Sequence, residues 1–253
     1  MNLWPEGVDC AIYETLGSTN AEAIRHAAEG LRGPKWFLTR EQTQSRARRG
    51  RPWDSGEGNF SASLLIRPEG GSEQAALRSF IAALALREAL VEICGREDIF
   101  TLKWPNDVLL NNRKLAGILL EGGMDASGSY LCIGIGVNLT SEPDAEYIEP
   151  GAIAPINLSS VIGTKIDPVD FLTPLAAAFA RWESQFQQYG FAPIRTAWLQ
   201  HATRLGEVIT AKLIDRTEVG TFETVDETGA IVLRTSKGLL HLPAADIYFG
   251  TEG

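Results

Sequence analysis

Residues 1–204 alternate between segments with the two-residue period of strands and segments with the longer period of helices. Residues 59–66 alternate polar and apolar side chains, which predicts a strand with one buried face. Residues 73–94 are rich in alanine and leucine and contain neither glycine nor proline, which predicts one long helix. Further strands are predicted at residues 8–13, 36–39, 101–104, 108–110, 115–120 and 130–137, and further helices at 171–189 and 194–201.

Short polar segments indicate where elements begin or turn. Thr19 and Glu22 have the spacing of a capping box, which predicts a helix that Thr19 caps and that stops at Gly30. Asn111 and Asn112 tolerate a positive φ and separate two apolar runs, which predicts a hairpin.

The pattern of predicted elements changes after residue 204. Short strands are predicted at residues 208–214, 220–225, 230–233 and 239–242, with glycine-containing turns between them. A run of strands without helices is typical of a small barrel. The chain is therefore predicted to be an α+β protein, with a mixed β-sheet flanked by helices in residues 1–204 and a small C-terminal β-barrel in residues 205–253.

Composition excludes several classes of function. With 44% hydrophobic and 22% charged residues and a net charge of −9, the chain has no broad basic face for nucleic acid. Cys10, Cys94 and Cys132 lie far apart and form no paired motif, which favours a reducing compartment. Neither a signal peptide nor a run of roughly 18 apolar residues is present. We expect a cytoplasmic protein that binds neither nucleic acid nor membrane.

One loop departs from this acidic background. Arg46, Arg48, Arg49 and Arg51 lie within six positions of each other. Like charges at this spacing repel one another, so the loop favours a role in holding an anion, and polyphosphate is the commonest candidate.

Three other segments carry polar groups next to predicted strand or helix ends. They are Gly17-Ser18-Thr19-Asn20, Lys103-Trp104-Pro105-Asn106-Asp107 and Arg113-Lys114-Leu115-Ala116-Gly117. Each has an ordinary explanation when taken alone, as a helix cap, a turn or an exposed lysine. Their order and combination with the arginine-rich loop point instead to one binding site.

Together these segments resemble the biotin protein ligase family. The resemblance extends to Gly134-Ile135-Gly136-Val137-Asn138 and to the all-β C-terminal segment, and it covers nearly the whole chain. It implies the catalytic fold that biotin and lipoate ligases share with class II synthetases, followed by an SH3-like barrel. The helix-turn-helix domain with which some members repress transcription has no counterpart here, so repression is not expected.

The resemblance also implies a reaction in two steps. Biotin and ATP, with Mg²⁺, give biotinyl-5′-adenylate and pyrophosphate, and a lysine of a biotin carboxyl carrier domain then takes the biotin and releases AMP. Such a carrier domain of a biotin-dependent carboxylase is the implied protein partner. The sequence leaves monomer and homodimer open.

The matching positions imply a role for each motif residue. The implied catalytic residues are Lys114, Arg46 and Arg48, and Asp107 is the implied Mg²⁺ ligand. The implied biotin-binding residues are Ser18, Thr19, Asn20, Gln42, Arg46, Ala47, Arg48, Lys114, Gly117, Gly134 and Gly136. The implied ATP-binding residues are Arg48, Arg49, Trp53, Lys103, Asn106, Asp107 and Asn138.

Two positions depart from the family pattern. Ser45 and Ala47 stand where the loop of the family has glycine, and only Gly50 remains. Because a Cβ narrows the backbone options, we expect a loop that is less floppy before ligands bind. A positive φ at Ala47 would argue against this expectation.

Three alternatives remain at the level of sequence. A lipoate or octanoate ligase shares the fold, but its extended acyl chain would leave Gln42 and the polar residues 18–20 without a purpose. A nucleic-acid-binding module conflicts with the acidic C-terminal segment. A ligase-like protein that binds biotin without catalysis is compatible with the two missing glycines.

Overall fold

A computed structural model describes residues 4–47, 50, 53, 55–144 and 151–249. Its centre is a seven-stranded mixed sheet with the order β1-β2-β3-β7-β6-β5-β4, in which only β1 and β2 are parallel. The strands are β1 (Asp9–Leu16), β2 (Lys35–Gln42), β3 (Phe60–Ile66), β4 (Phe100–Lys103), β5 (Asp107–Leu110), β6 (Arg113–Asp125) and β7 (Gly128–Val137).

Helices cover both faces of this sheet. They are α1 (Thr19–Ala28), α2 (Ser72–Ala76), α3 (Arg78–Cys94), α4 (Ser159–Ile162), α5 (Pro168–Tyr189) and α6 (Phe191–Gln200). Ala23 and Ala27 of α1 pack on Phe37, Leu65 and Cys132 on one face. The other face forms the main core with α3, α5 and α6. No helix within the described residues is long and apolar enough to cross a bilayer.

This layering explains one wrong prediction. Every residue of β3 is buried except the half-buried Ile66, so the strand has no solvent face. The alternation in its sequence separates two buried sides: Ser63 contacts the beginning of α1, whereas Ala62 and Leu64 belong to the main core. A polar position in a strand can therefore face a buried polar cluster instead of water.

Two predictions about helices are also wrong in detail. The predicted helix at 73–94 is divided at Leu77, whose buried side chain lies against the C-terminal turn at Gly229. The N-cap of α1 is Ser18 and not Thr19, because the Ser18 side chain accepts a hydrogen bond from the Ala21 amide. The predicted hairpin is confirmed, with φ values of 50° and 61° at Asn111 and Asn112.

The C-terminal part is an antiparallel sheet of five strands, in the order β11-β10-β9-β8-β12. The strands are β8 (Val208–Lys212), β9 (Thr217–Val225), β10 (Ile231–Thr235), β11 (Gly238–Leu242) and β12 (Asp246–Tyr248). The predicted class, a mixed sheet with helices followed by a small all-β unit, is confirmed. Strand β12 was missed because three residues are too few to show a period.

Trp104 joins the two sheets. Its side chain is buried, and its Nε1 donates to the Gly229 carbonyl at 3.0 Å. We expect Trp104→Phe to lower the free energy of unfolding by about 1–2 kcal/mol, because a buried hydrogen bond and part of a buried ring are lost. Urea unfolding followed by circular dichroism measures this change. An unchanged midpoint would show that the contact contributes nothing to stability.

Candidate active site

A cavity of about 680 Å³ opens on the face of the central sheet that carries α1. It is lined by every predicted site residue that the structure describes: Ser18, Thr19, Asn20, Gln42, Arg46, Ala47, Trp53, Lys103, Asn106, Asp107, Lys114, Gly117, Gly134, Gly136 and Asn138. Arg48 and Arg49, which were also predicted to take part, lie outside the described residues, as does Arg51. Four segments that are distant in sequence therefore meet at one cavity.

One end of the cavity holds uncharged hydrogen-bonding groups at the start of α1. The Gln42 Oε1 atom accepts from the Thr19 amide at 2.8 Å and from the Thr19 hydroxyl at 3.1 Å. Its Nε2 atom donates to the Ser55 hydroxyl at 3.3 Å. Because Thr19 is the first residue of α1 and not its cap, its hydroxyl is available for this contact. These bonds fix the orientation of the Gln42 amide.

Asn20 is held from three sides beside this pair. Its Oδ1 atom accepts from the Ser63 hydroxyl at 2.5 Å and from the Cys132 thiol at 3.3 Å, and its Nδ2 atom donates to Glu121 Oε2 at 2.7 Å. Burial is the main reason that the pKa of the Cys132 thiol is raised, so this group stays a neutral donor. A carboxylate on one side and hydroxyl and thiol donors on the other leave the Asn20 amide one favourable orientation.

Glycines form the floor of the cavity. A Cβ at Gly134 would lie 2.4 Å from Asn20 Oδ1, and a Cβ at Gly136 would lie 2.6 Å from Trp53 Nε1. At Gly117 the corresponding distance to Trp53 Cζ3 is 3.2 Å. The sequence suggested that these glycines admit a ligand ring, and the structure adds a second reason, since they also admit Asn20 and Trp53.

The other end of the cavity is charged. The Asp107 carboxylate lies between two ammonium groups, with Lys114 Nζ 2.9 Å from Oδ1 and Lys103 Nζ 3.6 Å from Oδ2. Burial lowers the pKa of Lys103, and the neighbouring Asp107 opposes that shift. Lys114 Nζ also lies 5.6 Å from the centre of the Trp53 ring, within the range of a cation–π contact. This end therefore presents two ammonium groups around the Asp107 carboxylate, and Asp246 also lines the cavity and acts on Lys103.

The backbone around the charged end holds these side chains in place. Lys103 and Asp107 are paired across the β4–β5 hairpin. In the turn between them, the Asn106 side chain donates to the Ile118 carbonyl at 2.7 Å. Asn138 Nδ2 donates to the Ile156 carbonyl at 3.2 Å, whereas its buried Oδ1 has no hydrogen-bond partner among the described residues. A buried acceptor of this kind beside a cavity can be satisfied by a water or by a donor of a bound ligand.

The arginine-rich loop reaches the cavity through Arg46 and Ala47. Within the described chain, the non-glycine residues with positive φ are Asn111, Asn112 and Arg204, so Ala47 has an ordinary backbone conformation. Gly50, the one glycine that the loop retains, has a φ of +71°. Ala47 therefore has a backbone conformation in which a Cβ is tolerated. The remaining glycine, Gly50, lies where a positive φ favours a residue without a Cβ.

The sequence missed several residues of this region. Ser63 and Glu121 hold Asn20 but belong to strands whose pattern signals only burial. Asp246, Ile247 and Tyr248 of β12 line the cavity from the C-terminal sheet. The order of the other motifs gives no signal for them, because their role arises from the packing of distant segments.

Known proteins match this chain in sequence and in fold. Residues 16–138 match the model of the biotin/lipoate A/B protein ligase family, and residues 205–250 match the model of the biotin protein ligase C-terminal domain. The biotin–[acetyl-CoA-carboxylase] ligase of Paracoccus denitrificans is 50% identical over 234 residues, which are 92% of this chain and 97% of that protein. The chain belongs to the biotin protein ligase family. A bifunctional ligase/repressor of Bacillus subtilis is 30% identical over 242 residues, which are 94% of this family member and 73% of that protein.

Solved structures of biotin protein ligases have the same fold. The ligase from Aquifex aeolicus in complex with biotin and ATP superposes with a TM-score of 0.80 at 24% identity, over 94% of this chain and 97% of that chain. The Leishmania major ligase in complex with biotinyl-5-AMP gives a TM-score of 0.66 at 21% identity, over 95% of this chain and 100% of that chain. At these identities the likeness concerns the fold. The match of residues 205–250 to the biotin protein ligase C-terminal domain distinguishes this family member from chains that match only the model shared by biotin and lipoate ligases.

Proposed function

We propose that this chain is an ATP-dependent biotin protein ligase that forms biotinyl-5′-adenylate and transfers the biotin to a lysine of a biotin carboxyl carrier domain. The observation that carries the proposal is one cavity with two unlike ends. Uncharged donors and acceptors around Thr19 and Asn20 occupy one end, and Lys103 and Lys114 the other. Biotin adenylate has the matching division, with a neutral ureido ring and a phosphate.

The neutral end suits the ureido group of biotin. That group presents both a carbonyl acceptor and N–H donors, so its site requires groups of both kinds. Hydroxyls and amides of Ser18, Thr19, Asn20 and Gln42 supply them at the cavity surface. We assign Gly117, Gly134 and Gly136, which line the cavity, to the floor beneath the bicyclic ring.

The charged end suits the first chemical step. A biotin carboxylate oxygen attacks the α-phosphorus of ATP, an acyl–phosphate bond forms, and the bond to the leaving pyrophosphate breaks. Two anions must approach each other, so nearby cations lower the barrier. We assign Lys114 and Arg46 this role, together with Arg48 of the loop.

The rest of the charged end suits the nucleotide. The Trp53 ring lines the cavity beside Gly136, and the buried Oδ1 of Asn138 can accept from the adenine amine. We assign Lys103, Asn106 and loop residues Arg48 and Arg49 to the phosphates.

Mg²⁺ enters the reaction with ATP as the Mg·ATP complex. The described residues contain no group of three or more His, Cys, Asp or Glu side chains that could hold a metal ion. Mg²⁺ bound to a nucleotide requires only one or two carboxylates beside the phosphate oxygens. We therefore assign Asp107 as the single protein carboxylate that contacts it, and the cation would share that carboxylate with Lys103 and Lys114.

The second step needs a protein partner. The ε-amine of the carrier lysine attacks the biotinyl carbonyl carbon, the bond to the phosphate oxygen breaks, AMP leaves, and the new amide nitrogen gives up a proton. We propose the biotin carboxyl carrier domain of a carboxylase as the acceptor. The name of the Paracoccus denitrificans relative gives acetyl-CoA-carboxylase as the protein on which that ligase acts.

We also propose that the chain consists of two domains with different roles. Residues 1–204 would form the catalytic domain, and residues 205–253 a smaller unit whose strand β12 completes the cavity. The free state of Cys10, Cys94 and Cys132 supports a reducing, cytoplasmic location.

Pyrophosphate exchange into ATP tests the proposal directly. The reaction is run with biotin, with lipoate and without an acid. Exchange that depends on biotin alone is the expected result. Exchange with lipoate alone would show a lipoate ligase and contradict the assignment of Thr19, Asn20 and Gln42. Exchange with neither acid, together with biotin binding in calorimetry, would show a binding protein without catalysis.

Ser63→Ala tests the neutral end. The Ser63 hydroxyl lies 2.5 Å from Asn20 Oδ1 and 2.7 Å from Thr19 Oγ1, so its removal loosens both side chains. We expect the KM for biotin in the exchange reaction to rise about tenfold, with the KM for ATP unchanged. Ser61→Ala is the matched control, because Ser61 is a buried serine of the same strand and no hydrogen bond among the described residues joins it to Thr19 or Asn20. Equal biotin KM values for the two variants would contradict the assignment.

A further inference from the structure

Glu121 lies one step beyond the cavity floor on β6. Leu119 and Ser63 flank Gly134 across the sheet, and in the next row Glu121 and Leu65 flank Cys132. Because side chains two apart on a strand share a face, Glu121 belongs to the face that carries the cavity. Neither the motif pattern nor the cavity lining includes it.

The two carboxylate oxygens of Glu121 contact different parts of the site. Oε2 accepts from Asn20 Nδ2 at 2.7 Å, at the neutral end. Oε1 lies 3.5 Å from Arg46 Nη2, in the arginine-rich loop. One side chain thus connects the beginning of α1, the central sheet and the loop.

Each contact has a physical consequence for the groups that line the cavity. The carboxylate can only accept, so it directs the Asn20 amide with Nδ2 toward Glu121 and Oδ1 toward Ser63. A guanidinium has five N–H donors, so the contact with Glu121 leaves Arg46 able to bind a phosphate or carboxylate as well. The Arg46 side chain is 48% exposed, and a charged partner restricts where it points.

We propose that Glu121 is a positioning residue, which orients Asn20 for the ureido ring and holds Arg46 for the carboxylate and phosphate, without touching the ligand itself. This inference rests on the proposed function. Glu121 would thus hold groups at both ends of the cavity, so that Glu121→Ala affects both biotin binding and the chemical step.

Two substitutions separate the two contacts. Glu121→Gln keeps an oxygen that can accept from Asn20 but removes the charge that attracts Arg46. Glu121→Ala removes both contacts. Glu223→Gln is the matched control, because Glu223 pairs with Arg234 at 2.6 Å on the exposed side of the C-terminal sheet. Pyrophosphate exchange gives kcat and the KM for biotin, calorimetry gives the biotin Kd without ATP, and thermal unfolding reports the fold.

For Glu121→Gln we expect kcat to fall about tenfold while the biotin Kd stays within about threefold of wild type. For Glu121→Ala we expect the same fall in kcat and a rise of about tenfold in the biotin Kd. Glu223→Gln should match wild type in all three quantities.

Other outcomes overturn the inference. Wild-type kcat and biotin Kd in both Glu121 variants would show that neither contact matters. Equal changes in Kd in the two variants would contradict the assigned roles of the two oxygens. If Glu121→Ala fails to fold, the near-isosteric Glu121→Gln decides alone through kcat. Absence of biotin-dependent exchange in the wild-type protein is a separate result, which would overturn the proposed function.

Discussion

Lys114→Gln is expected to lower the rate of biotin-dependent pyrophosphate exchange by roughly a hundredfold to a thousandfold, the range found when one preorganised donor to a developing charge is removed from an active site. The Lys114 ammonium lies 2.9 Å from Asp107 Oδ1 at the charged end of the cavity. Its positive charge offsets the repulsion between the biotin carboxylate and the α-phosphate, and glutamine has no charge to replace it. The effect should appear mainly in kcat, with a smaller rise in the biotin Kd measured without ATP, because the resemblance also places Lys114 against the biotin carboxylate.

The matched control is Lys237→Gln, in the exposed turn between β10 and β11. It removes the same charge from the protein as a whole, so wild-type exchange in this variant excludes a general effect of net charge. Lys114→Arg keeps the charge and should recover part of the rate. Exchange by Lys114→Gln within about threefold of wild type would show that another cation performs this role.

Gly134→Ala is expected to raise the biotin Kd about a hundredfold, since overpacking of a buried site typically costs about 1–3 kcal/mol. The added Cβ would lie 2.4 Å from Asn20 Oδ1. Asn20 has little room to retreat, because Ser63 and Glu121 hold its amide from two sides. The methyl group must therefore displace the amide from the orientation that the neutral end requires. Calorimetry with biotin alone measures the loss.

Gly122→Ala provides the comparison for this substitution. A Cβ at Gly122 would lie 3.5 Å from the Tyr130 carbonyl oxygen, which is an ordinary contact. Both glycines belong to neighbouring strands of the same sheet, so any general loss of strand flexibility is shared. Similar biotin Kd values for Gly134→Ala and Gly122→Ala would show that displacement of the Asn20 amide does not weaken biotin binding.

Local chemistry made a large part of the molecule predictable from sequence. Two asparagines in succession favour a tight turn wherever two apolar runs follow each other, and residues 111–112 form that turn. Likewise, the strands predicted at residues 101–104 and 108–110 correspond to β4 and β5, although the pairing of Lys103 with Asp107 across a hairpin was not predicted. Where neighbours in the sequence determine the geometry, the pattern was sufficient.

The errors occur where distant segments decide the outcome. The break at Leu77 places a side chain against a turn more than a hundred positions away, near Gly229. Thr19 carries the signature of a cap but bonds to Gln42, which only the folded sheet brings within reach. The contacts of Glu121 with Asn20 and Arg46 have the same origin. No window along the chain contains such information, because it depends on which strands become neighbours.

The place of β12 in the cavity has a consequence for the order in which the protein becomes functional during synthesis. The strands of the central sheet are all contained in residues 9–137, whereas Asp246, Ile247 and Tyr248 complete the cavity lining. A nascent chain can therefore assemble the central sheet well before residues 246–248 leave the ribosome. During that interval β8, the strand with which β12 pairs, lacks this neighbour, and the cavity lacks one side. Ligand can stabilise the full site only after translation has passed this strand.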